Sequence, residues 1–273
     1  SMTSEILNFV KRKSWKSVER EEAKASGRTI MKTKWVYKKK DEQDGTVWLK
    51  SQCVSKGFQQ RPGVDYTESF LPVASDTSVR AAIVISLYMS GWTIEVIDIE
   101  AAFLEGTLEE PAYIEWPEGM VELGFITEVQ ARTTVAQLLK SMYGNVNAAL
   151  RFFKEYVGHM VDKMGMYQNL ADPCVFIKKH EGKLVLIVLT HVDDSQLCGE
   201  KKWIEWFKEN IQKRFNYTDM GKLKKHLGIW YEWTEDEHGE TMIIATMPKM
   251  VREIIKAYEN HTGKDVKEYA TPG

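Results

Sequence analysis

Two adjacent aspartates, Asp193 and Asp194, follow the apolar run "VLIVLTHV". A buried strand gains nothing from two like charges at its end, because they repel each other and lose hydration. Asp98 ends a second apolar run, "TIEVID". If the two strands lie side by side, Asp98 and Asp193 converge on a pair of divalent cations, as in two-metal phosphoryl transfer. The pattern therefore indicates either a polymerase-type metal site or an ordinary turn, where aspartate is a preferred residue.

The elements that must position these carboxylates are antiparallel hairpins mixed with helices. Lys34–Lys40 and Thr46–Ser55 flank a turn at Asp44-Gly45 and predict a first hairpin. The runs 174–179 and 183–194 predict a second hairpin, and 227–233 and 241–247 predict a third. Helices are predicted over 5–24, from a cap at Asp76 to Gly91, over 147–165, over 201–215, and from Pro248 onward. This mixture predicts the α+β class rather than alternating βαβ units.

Composition is that of an ordinary globular protein with an uneven distribution of charge. The 273 residues are 43% hydrophobic and 28% charged, with a net charge of -2. Lysine and arginine are concentrated in residues 11–61, whereas acidic residues cluster in 95–128. The basic segment indicates either a polyanion-binding surface or a solvated charged face.

Cysteine usage and hydropathy point to a compartment. Cys53, Cys174 and Cys198 lack the spacing of a metal site, so reduced thiols in a cytoplasmic protein are expected. No signal peptide is evident, and no apolar run approaches the roughly 20 residues of a membrane span, so no membrane partner is expected. Ser1-Met2 is typical of a cleaved tag, which indicates a fragment of a longer protein.

A series of motifs occurs in one consistent order along the chain. They read "KWVYKKK…DG", "VSKGFQQRPGVDYTESFLPVA", "TSVRAAI", "VIDIEAAFLEGTLEE", "WPEG", "LLKSMYG", "HVDD", "FKENIQKRFNYTDMG", "HLGI" and "TP". From about Lys34 to Pro272, the sequence resembles the reverse transcriptase of copia-type (Pseudoviridae) long-terminal-repeat retrotransposons.

The resemblance implies a right-hand polymerase fold, with an antiparallel palm sheet backed by helices. Residues 1–91 would form the fingers with an N-terminal extension. Residues 92–105 would hold the palm strand with the first catalytic aspartate, and 106–145 a second part of the fingers. Residues 146–245 would complete the palm, and 246–273 would begin the thumb.

The same resemblance assigns the site residues. Asp98, Asp193 and Asp194 match the catalytic carboxylates that hold two Mg²⁺ or Mn²⁺ ions. Phe103 matches a steric gate against the ribose 2′-hydroxyl, although a core phenylalanine is the alternative. The implied dNTP-binding residues are Lys50, Gln52, Lys56, Phe103 and Asn147, and the implied primer or template contacts are His191, Leu227, Gly228 and Ile229. For Lys56, an exposed lysine on an edge strand is the alternative.

Three of these positions depart from the pattern. Gln52 stands where the fingers motif carries an arginine, and glutamine brings neither the charge nor the fork that binds phosphate oxygens. Asn147 replaces a glutamine near the template–nucleotide pair, and His191 replaces a tyrosine that lies under the primer end. These changes indicate either a divergent active element or a host-captured copy selected for another role.

The function expected from this resemblance is RNA-directed DNA polymerase, with dNTPs and a primed RNA or DNA template as partners. Protein partners implied by it are a second copy of the chain and the integrase and ribonuclease H of a polyprotein. An active element would reside in a cytoplasmic virus-like particle, with the nucleus as the other compartment. The alternatives are a domesticated, catalytically weak protein that binds nucleic acid or another protein, and a nuclease or other two-metal phosphotransferase.

Overall fold

Residues 2–41 and 47–266 are described by the computed structural model. The helices are α1 (Met2–Lys11), α2 (Arg20–Ala25), α3 (Asp76–Tyr88), α4 (Glu128–Thr133), α5 (Ala148–Gly158), α6 (Lys201–Gln212) and α7 (Pro248–Thr262). Short 3₁₀ turns cover Gly57–Gln59 and Ala102–Leu104, and a π-helical turn, His159–Lys163, extends α5.

Fifteen strands occur within the same described ranges. They are β1 (Trp15–Glu19), β2 (Ile30–Met31), β3 (Thr33–Asp41), β4 (Val47–Ser55), β5 (Trp92–Ile99), β6 (Thr107–Ile114), β7 (Thr134–Lys140), β8 (Tyr167–Gln168), β9 (Val175–His180), β10 (Lys183–His191), β11 (Asp194–Glu200), β12 (Tyr217–Lys222), β13 (Lys225–His226), β14 (Ile229–Glu235) and β15 (Thr241–Thr246). Helices and largely antiparallel sheets confirm the predicted α+β class.

The central feature is a six-stranded sheet with the order β12-β5-β11-β10-β9-β8, in which every neighbouring pair is antiparallel. Side chains alternate across β5, so Ile97 and Ile99 face one side while Ile94 and Val96 face the other. The first side packs on the apolar stripes of α5 and α6, and the second packs on α3 and β14. Both faces of the sheet are therefore covered along much of their length.

Three smaller sheets flank this core. The predicted first hairpin is confirmed as β3 and β4, paired from Thr33↔Ser55 to Asp41↔Val47, while its turn at Asp44-Gly45 lies outside the described residues. A four-stranded sheet has the order β1-β7-β6-β2, and the predicted third hairpin is confirmed within β13-β14-β15. Helix α1 buries Ile6 and Phe9 completely and packs against β4.

The single helix predicted over residues 5–24 is wrong. The chain leaves α1 at Lys11, turns at Lys13, which has a φ of 49°, and continues into β1. Strand β1 pairs with β7, Trp15 lying opposite Leu138, so a distant partner overrides the local helical pattern. The cap predicted at Asp76 belongs instead to Ser75, whose hydroxyl accepts the Ser78 N–H at 3.1 Å.

The second predicted hairpin is confirmed as β9 and β10, but the apolar run before the two aspartates belongs to a further hairpin. Strands β10 and β11 pair from Leu186↔Gly199 to His191↔Asp194 around a turn at Val192 and Asp193. Asp194 therefore begins the return strand. Among the described helices, none is long and apolar enough to cross a membrane.

Candidate active site

The strand register brings the three predicted carboxylates to one end of the six-stranded sheet. Asp98, near the end of β5, lies directly opposite Asp194 at the start of β11. The Ile99 N–H donates to the Asp193 carbonyl at 2.9 Å, so the turn is also fixed to β5. Directly opposed residues of an antiparallel pair have Cβ atoms about 5 Å apart. Two strands far apart in sequence thus place these carboxylates together.

Three negatively charged side chains lie close together at this end of the sheet. Partial burial, reinforced by the neighbouring Asp193 and Asp98 carboxylates, raises the pKa of Asp194 to about 6, while His191 acts in the opposite direction. All three aspartates are half-buried. A carboxylate held close to others and partly shielded from water is stabilised by a nearby cation.

The donor chemistry of this corner fits a hard divalent cation. Carboxylate oxygens are the ligands that Mg²⁺ and Mn²⁺ take, and Mg²⁺ commonly uses one or two carboxylates together with substrate phosphates. Within residues 2–41 and 47–266, no three His, Cys, Asp or Glu side chains are gathered tightly enough to hold a cation by themselves. Asp98, Asp193 and Asp194 therefore fit a divalent cation by the type of their oxygen ligands only.

Buried hydroxyl groups link helix α5 to the β10–β11 hairpin, which we call the carboxylate hairpin because it carries Asp193 and Asp194. The Tyr156 phenol shares a 2.8 Å hydrogen bond with the Ser195 hydroxyl, which also lies 3.4 Å from the Thr190 hydroxyl. Complete burial raises the pKa of Tyr156, so the phenol stays neutral. Thr190 and Ser195 are directly opposed across the hairpin. Helix α5 thereby fixes both limbs of the hairpin whose turn carries Asp193.

Phe103 lies in the 3₁₀ turn that follows β5. Ala102 and Leu104 are buried, and Phe103 between them is half-buried, with its ring edge-on to Tyr143 at a centroid distance of 5.4 Å. Burial raises the pKa of Tyr143 to about 12, with added contributions from Glu5, Asp193 and Asp98. The Phe103–Tyr143 pair therefore adjoins the carboxylates.

The end of β4 is tied to the segment that carries Tyr143. The Ser55 N–H donates to the Tyr143 carbonyl at 2.8 Å, and the Ser55 hydroxyl contacts the Asn145 side-chain oxygen at 2.5 Å. Gly57 lies so close to Gly144 that an added Cβ would be 1.9 Å from the Gly144 oxygen. These contacts fix the base of the β3–β4 hairpin beside the Phe103–Tyr143 pair.

These contacts bring only some of the predicted dNTP-binding residues close together. Gln52 on β4 and Lys56 at its end are half-buried, whereas the Lys50 side chain lies outside the described residues. Asn147 is only 6% exposed and immediately precedes α5. The structure therefore places Lys56 at the tied end of β4 and Asn147 inside the protein, a few residues after Tyr143.

The predicted primer and template residues lie in or beside two turns, the β10–β11 turn and the β13–β14 turn. His191 is half-buried directly opposite Asp194. Leu227 and Gly228 form the turn between β13 and β14 with φ angles of 50° and 83°, and Ile229 begins β14. Both turn residues are exposed.

Sequence reasoning missed His226, which precedes that turn. Burial, and secondarily His191, lowers the pKa of His226 to about 4. This electrostatic influence of His191 indicates that the β13–β14 turn is close to the carboxylate hairpin. Tyr143, Tyr156 and Ser195 were also missed, and only Tyr143 had a sequence signal, its place in "SMYG".

Comparison with known proteins gives one consistent result. The sequence profile of a family described as "Reverse transcriptase (RNA-dependent DNA polymerase)" matches residues 13–265. The chain is 32% identical over 231 residues to the "Retrovirus-related Pol polyprotein from transposon TNT 1-94" of Nicotiana tabacum, covering 84% of this chain and 16% of that protein. It is 30% identical over 203 residues to the corresponding polyprotein from transposon RE1 of Arabidopsis thaliana, covering 74% and 13%. The chain spans less than a fifth of the length of these two relatives.

Proposed function

The chain belongs to the reverse transcriptase (RNA-dependent DNA polymerase) family of copia-type retrotransposons, and on that premise we propose that it adds dNTPs to the 3′-hydroxyl of a primer on an RNA or DNA template. The observation that carries the proposal is the pairing of Asp98 with Asp194, next to the turn that holds Asp193. A nuclease would also use such carboxylates, but the family match covers most of the chain.

The elements suit the parts of a right-hand polymerase. We assign the six-stranded sheet with α5 and α6 to the palm, made of residues 92–105 and 146–245. The β3–β4 hairpin and the four-stranded sheet suit the fingers, residues 1–91 and 106–145, and α7 suits the start of the thumb, residues 246–273. The Val146 N–H donates to the Gln60 side-chain oxygen at 2.8 Å, which supports a fingers hairpin held against the palm.

In this mechanism, the carboxylates of Asp98 and Asp193 would hold the metals and Asp194 would support them. Two bound Mg²⁺ or Mn²⁺ ions would supply positive charge for the attacking and leaving oxygens. The protein contributes to catalysis by positioning the carboxylates, because the paired strands fix them before the substrate binds. Tyr156 and the hydroxyls of Ser195 and Thr190 hold the hairpin in that geometry.

Nucleotide selection falls to the fingers hairpin and the turn after β5. Lys56, and Lys50 with it, would attract the triphosphate by charge, while Gln52 offers hydrogen bonds without charge. The Phe103 ring, steadied by Tyr143 at 5.4 Å, would exclude the ribose 2′-hydroxyl. His191, Leu227, Gly228 and Ile229 would contact the primer end, and Asn147 would act near the templating pair.

The test is extension of a primed homopolymer template with dNTPs and Mg²⁺ or Mn²⁺. The matched control is the Asp193→Asn/Asp194→Asn variant, which retains the side-chain volumes. Extension by the parent protein and none by the variant supports the polymerase. A folded parent that binds the primer–template without extending it refutes the proposal for this chain.

A second candidate is a domesticated protein that binds nucleic acid or another protein and has weak catalysis. The uncharged Gln52 on β4 favours it, because an arginine there would bind phosphate. Restoring that group in Gln52→Arg separates the two. A lower dNTP requirement in the variant supports a working triphosphate site, whereas tight primer–template binding with no extension by either protein supports the second candidate.

We also propose protein partners and a compartment for the chain. Both relatives are named as Pol polyproteins, so we propose that the integrase and ribonuclease H of such a polyprotein, and a second copy of this chain, are its protein partners. A cytoplasmic virus-like particle is the compartment that suits an active element, and the nucleus suits a captured copy.

A further inference from the structure

Glu105 is a buried carboxylate on which three cationic side chains converge. It is 7% exposed, and it ends the 3₁₀ turn that carries Phe103. Arg12 pairs with one of its oxygens, while the Arg214 guanidinium lies 2.7 Å and the Lys140 ammonium 3.7 Å from the other. A buried carboxylate with this many cationic partners is held firmly, because leaving it would expose unpaired charges.

The three cations come from separate parts of the molecule. Arg12 directly follows α1, Lys140 ends β7, and Arg214 follows α6. Two of them are oriented by other groups. The Arg12 Nε donates to the Asn8 side-chain oxygen at 3.0 Å, and Arg214 also reaches Glu155 at 3.7 Å. Glu105 therefore joins the segments that follow α1 and α6 to the end of β7 at one point.

The turn between Asp98 and Glu105 needs such an anchor. Ala101 has a φ of 53°, a left-handed conformation that costs a non-glycine residue energy and persists only where its surroundings enforce it. The Leu104 and Glu105 N–H groups donate to the Ala101 and Ala102 carbonyls at 2.8 and 2.9 Å. Strand β5 fixes one end of this turn, and the Glu105 ion pairs fix the other.

From this geometry we infer that Glu105 is a positioning residue that sets where the Phe103 ring lies, and thereby how strongly the protein selects deoxynucleotides over ribonucleotides. The inference rests on the proposed function, since Phe103 discriminates only if nucleotides bind beside it. Glu105 itself does not contact the substrate. It acts by holding the turn on which the discriminating ring is mounted.

The test compares Glu105→Gln with the parent protein in single-nucleotide incorporation of a dNTP and the matching rNTP. Glutamine keeps the shape but leaves three cations without their carboxylate. We expect the dNTP-to-rNTP ratio of kcat/KM to fall by about tenfold or more, since displacements near 1 Å at a reacting centre have effects of up to about a hundredfold. Glu105→Asp, which retains the charge, should recover part of the ratio.

Glu95→Gln is the matched control. Glu95 also pairs with a buried cation, Lys208, at 2.5 Å, but its place on β5 points it to the face opposite Asp98. This variant should lose stability without losing selectivity. Unchanged selectivity in folded Glu105→Gln, or an equal loss in Glu95→Gln, would overturn the inference. If Glu105→Gln does not fold, Arg12→Gln replaces it in the same measurement. Its dNTP-to-rNTP ratio of kcat/KM should also fall, but by less, and an unchanged ratio would overturn the inference.

Amide hydrogen exchange gives a readout that does not depend on activity. Residues 101–106 should exchange faster in Glu105→Gln than in the parent, and no faster in Glu95→Gln. Should the parent extend no primer at all, the polymerase proposal and the selectivity claim fall together. Exchange then still decides whether Glu105 positions the turn, and unchanged protection at 101–106 would refute that as well.

Discussion

The three carboxylates Asp98, Asp193 and Asp194 lie together at a position where their charges destabilise the fold. Asp98 and Asp194 face each other on paired strands, and Asp193 lies in the adjoining turn. Burial, and after it the neighbouring Asp193 and Asp98 carboxylates, raise the pKa of Asp194 to about 6. A neutral pair at positions 98 and 194 would join the strands without this cost. Retaining three acids there is consistent with cations and phosphates completing the arrangement.

His226 gives a residue-scale prediction on pH. Its folded-state pKa of about 4 lies below the ordinary 6.5, and neither ring nitrogen has a hydrogen-bond partner among the described residues. The unfolded chain binds this proton more readily than the folded protein does. Neutral His226 therefore makes its full contribution to the free energy of unfolding above pH 6.5, and this contribution is lost as the pH falls toward 4. The difference corresponds to on the order of 3 kcal/mol in the free energy of unfolding.

Urea unfolding at pH 7, 5 and 4 measures this contribution. His226→Leu removes the titrating group and should show a shallower loss of stability on acidification than the parent. His238→Leu is the control, since His238 lies in an exposed turn and its replacement should leave the parent's slope unchanged. A parent and His226→Leu variant with identical slopes would contradict the prediction.

At the scale of elements, the end of β4 makes a tight contact with the loop before α5. Gly57 and Gly144 approach each other through their backbones, and both Ser55 and Gln60 bond to the same loop. The Gln60 side-chain oxygen accepts the Val146 N–H at 2.8 Å. The β3–β4 hairpin is thereby fixed at its base.

Gly57→Ala tests this junction. An alanine Cβ at this position would be 1.9 Å from the Gly144 oxygen and 3.3 Å from the Val146 nitrogen, so the two segments must separate. The expected loss in the free energy of unfolding is roughly 3 kcal/mol or more. Gly158→Ala is the matched control. Its Cβ would have only Asp162 nearby, at 3.8 Å, and in a helix it should gain roughly 0.5–1 kcal/mol. Equal stabilities of the two variants would disprove the close contact.

At the scale of the whole molecule, the uneven charge predicts how nucleic acid binds. Lys34 and Lys38 are exposed on β3, within the basic N-terminal segment of a chain whose net charge is only -2. If four phosphates are neutralised, affinity for a primer–template should fall roughly a hundredfold between 50 and 200 mM salt. Lys34→Gln/Lys38→Gln should reduce the logarithmic salt slope by about two.

The control for salt dependence is Lys183→Gln, at the opposite end of β10 from His191. Its slope should match that of the parent. Fluorescence anisotropy with a labelled primer–template across a salt series measures all three proteins. An affinity that does not weaken with salt would exclude a mode of binding dominated by phosphate contacts.

Local patterns predicted the hairpins β3–β4, β9–β10 and β14–β15 and the helices α6 and α7, because strand alternation, turn residues and amphipathic spacing are properties of neighbouring residues. They did not predict the β10–β11 hairpin that carries Asp193. The convergence of Asp98 on Asp193 and Asp194 was also predicted, from the position of each at the end of an apolar run. The pairing of β1 with β7, the place of β12 beside β5, and the cations around Glu105 were not predicted. Each depends on residues far apart in the chain, which leave no periodic signal.

The position of β5 in its sheet has a consequence for how the protein is made. This apolar strand lies between β12 and β11, and a ribosome produces it before either neighbour. Until translation passes Lys222, the nascent chain therefore carries Trp92–Ile99 with at least one edge unpaired, and such edges invite aggregation. Premature termination before Asp194 leaves both edges open, so truncated products of this gene should require chaperones or be degraded.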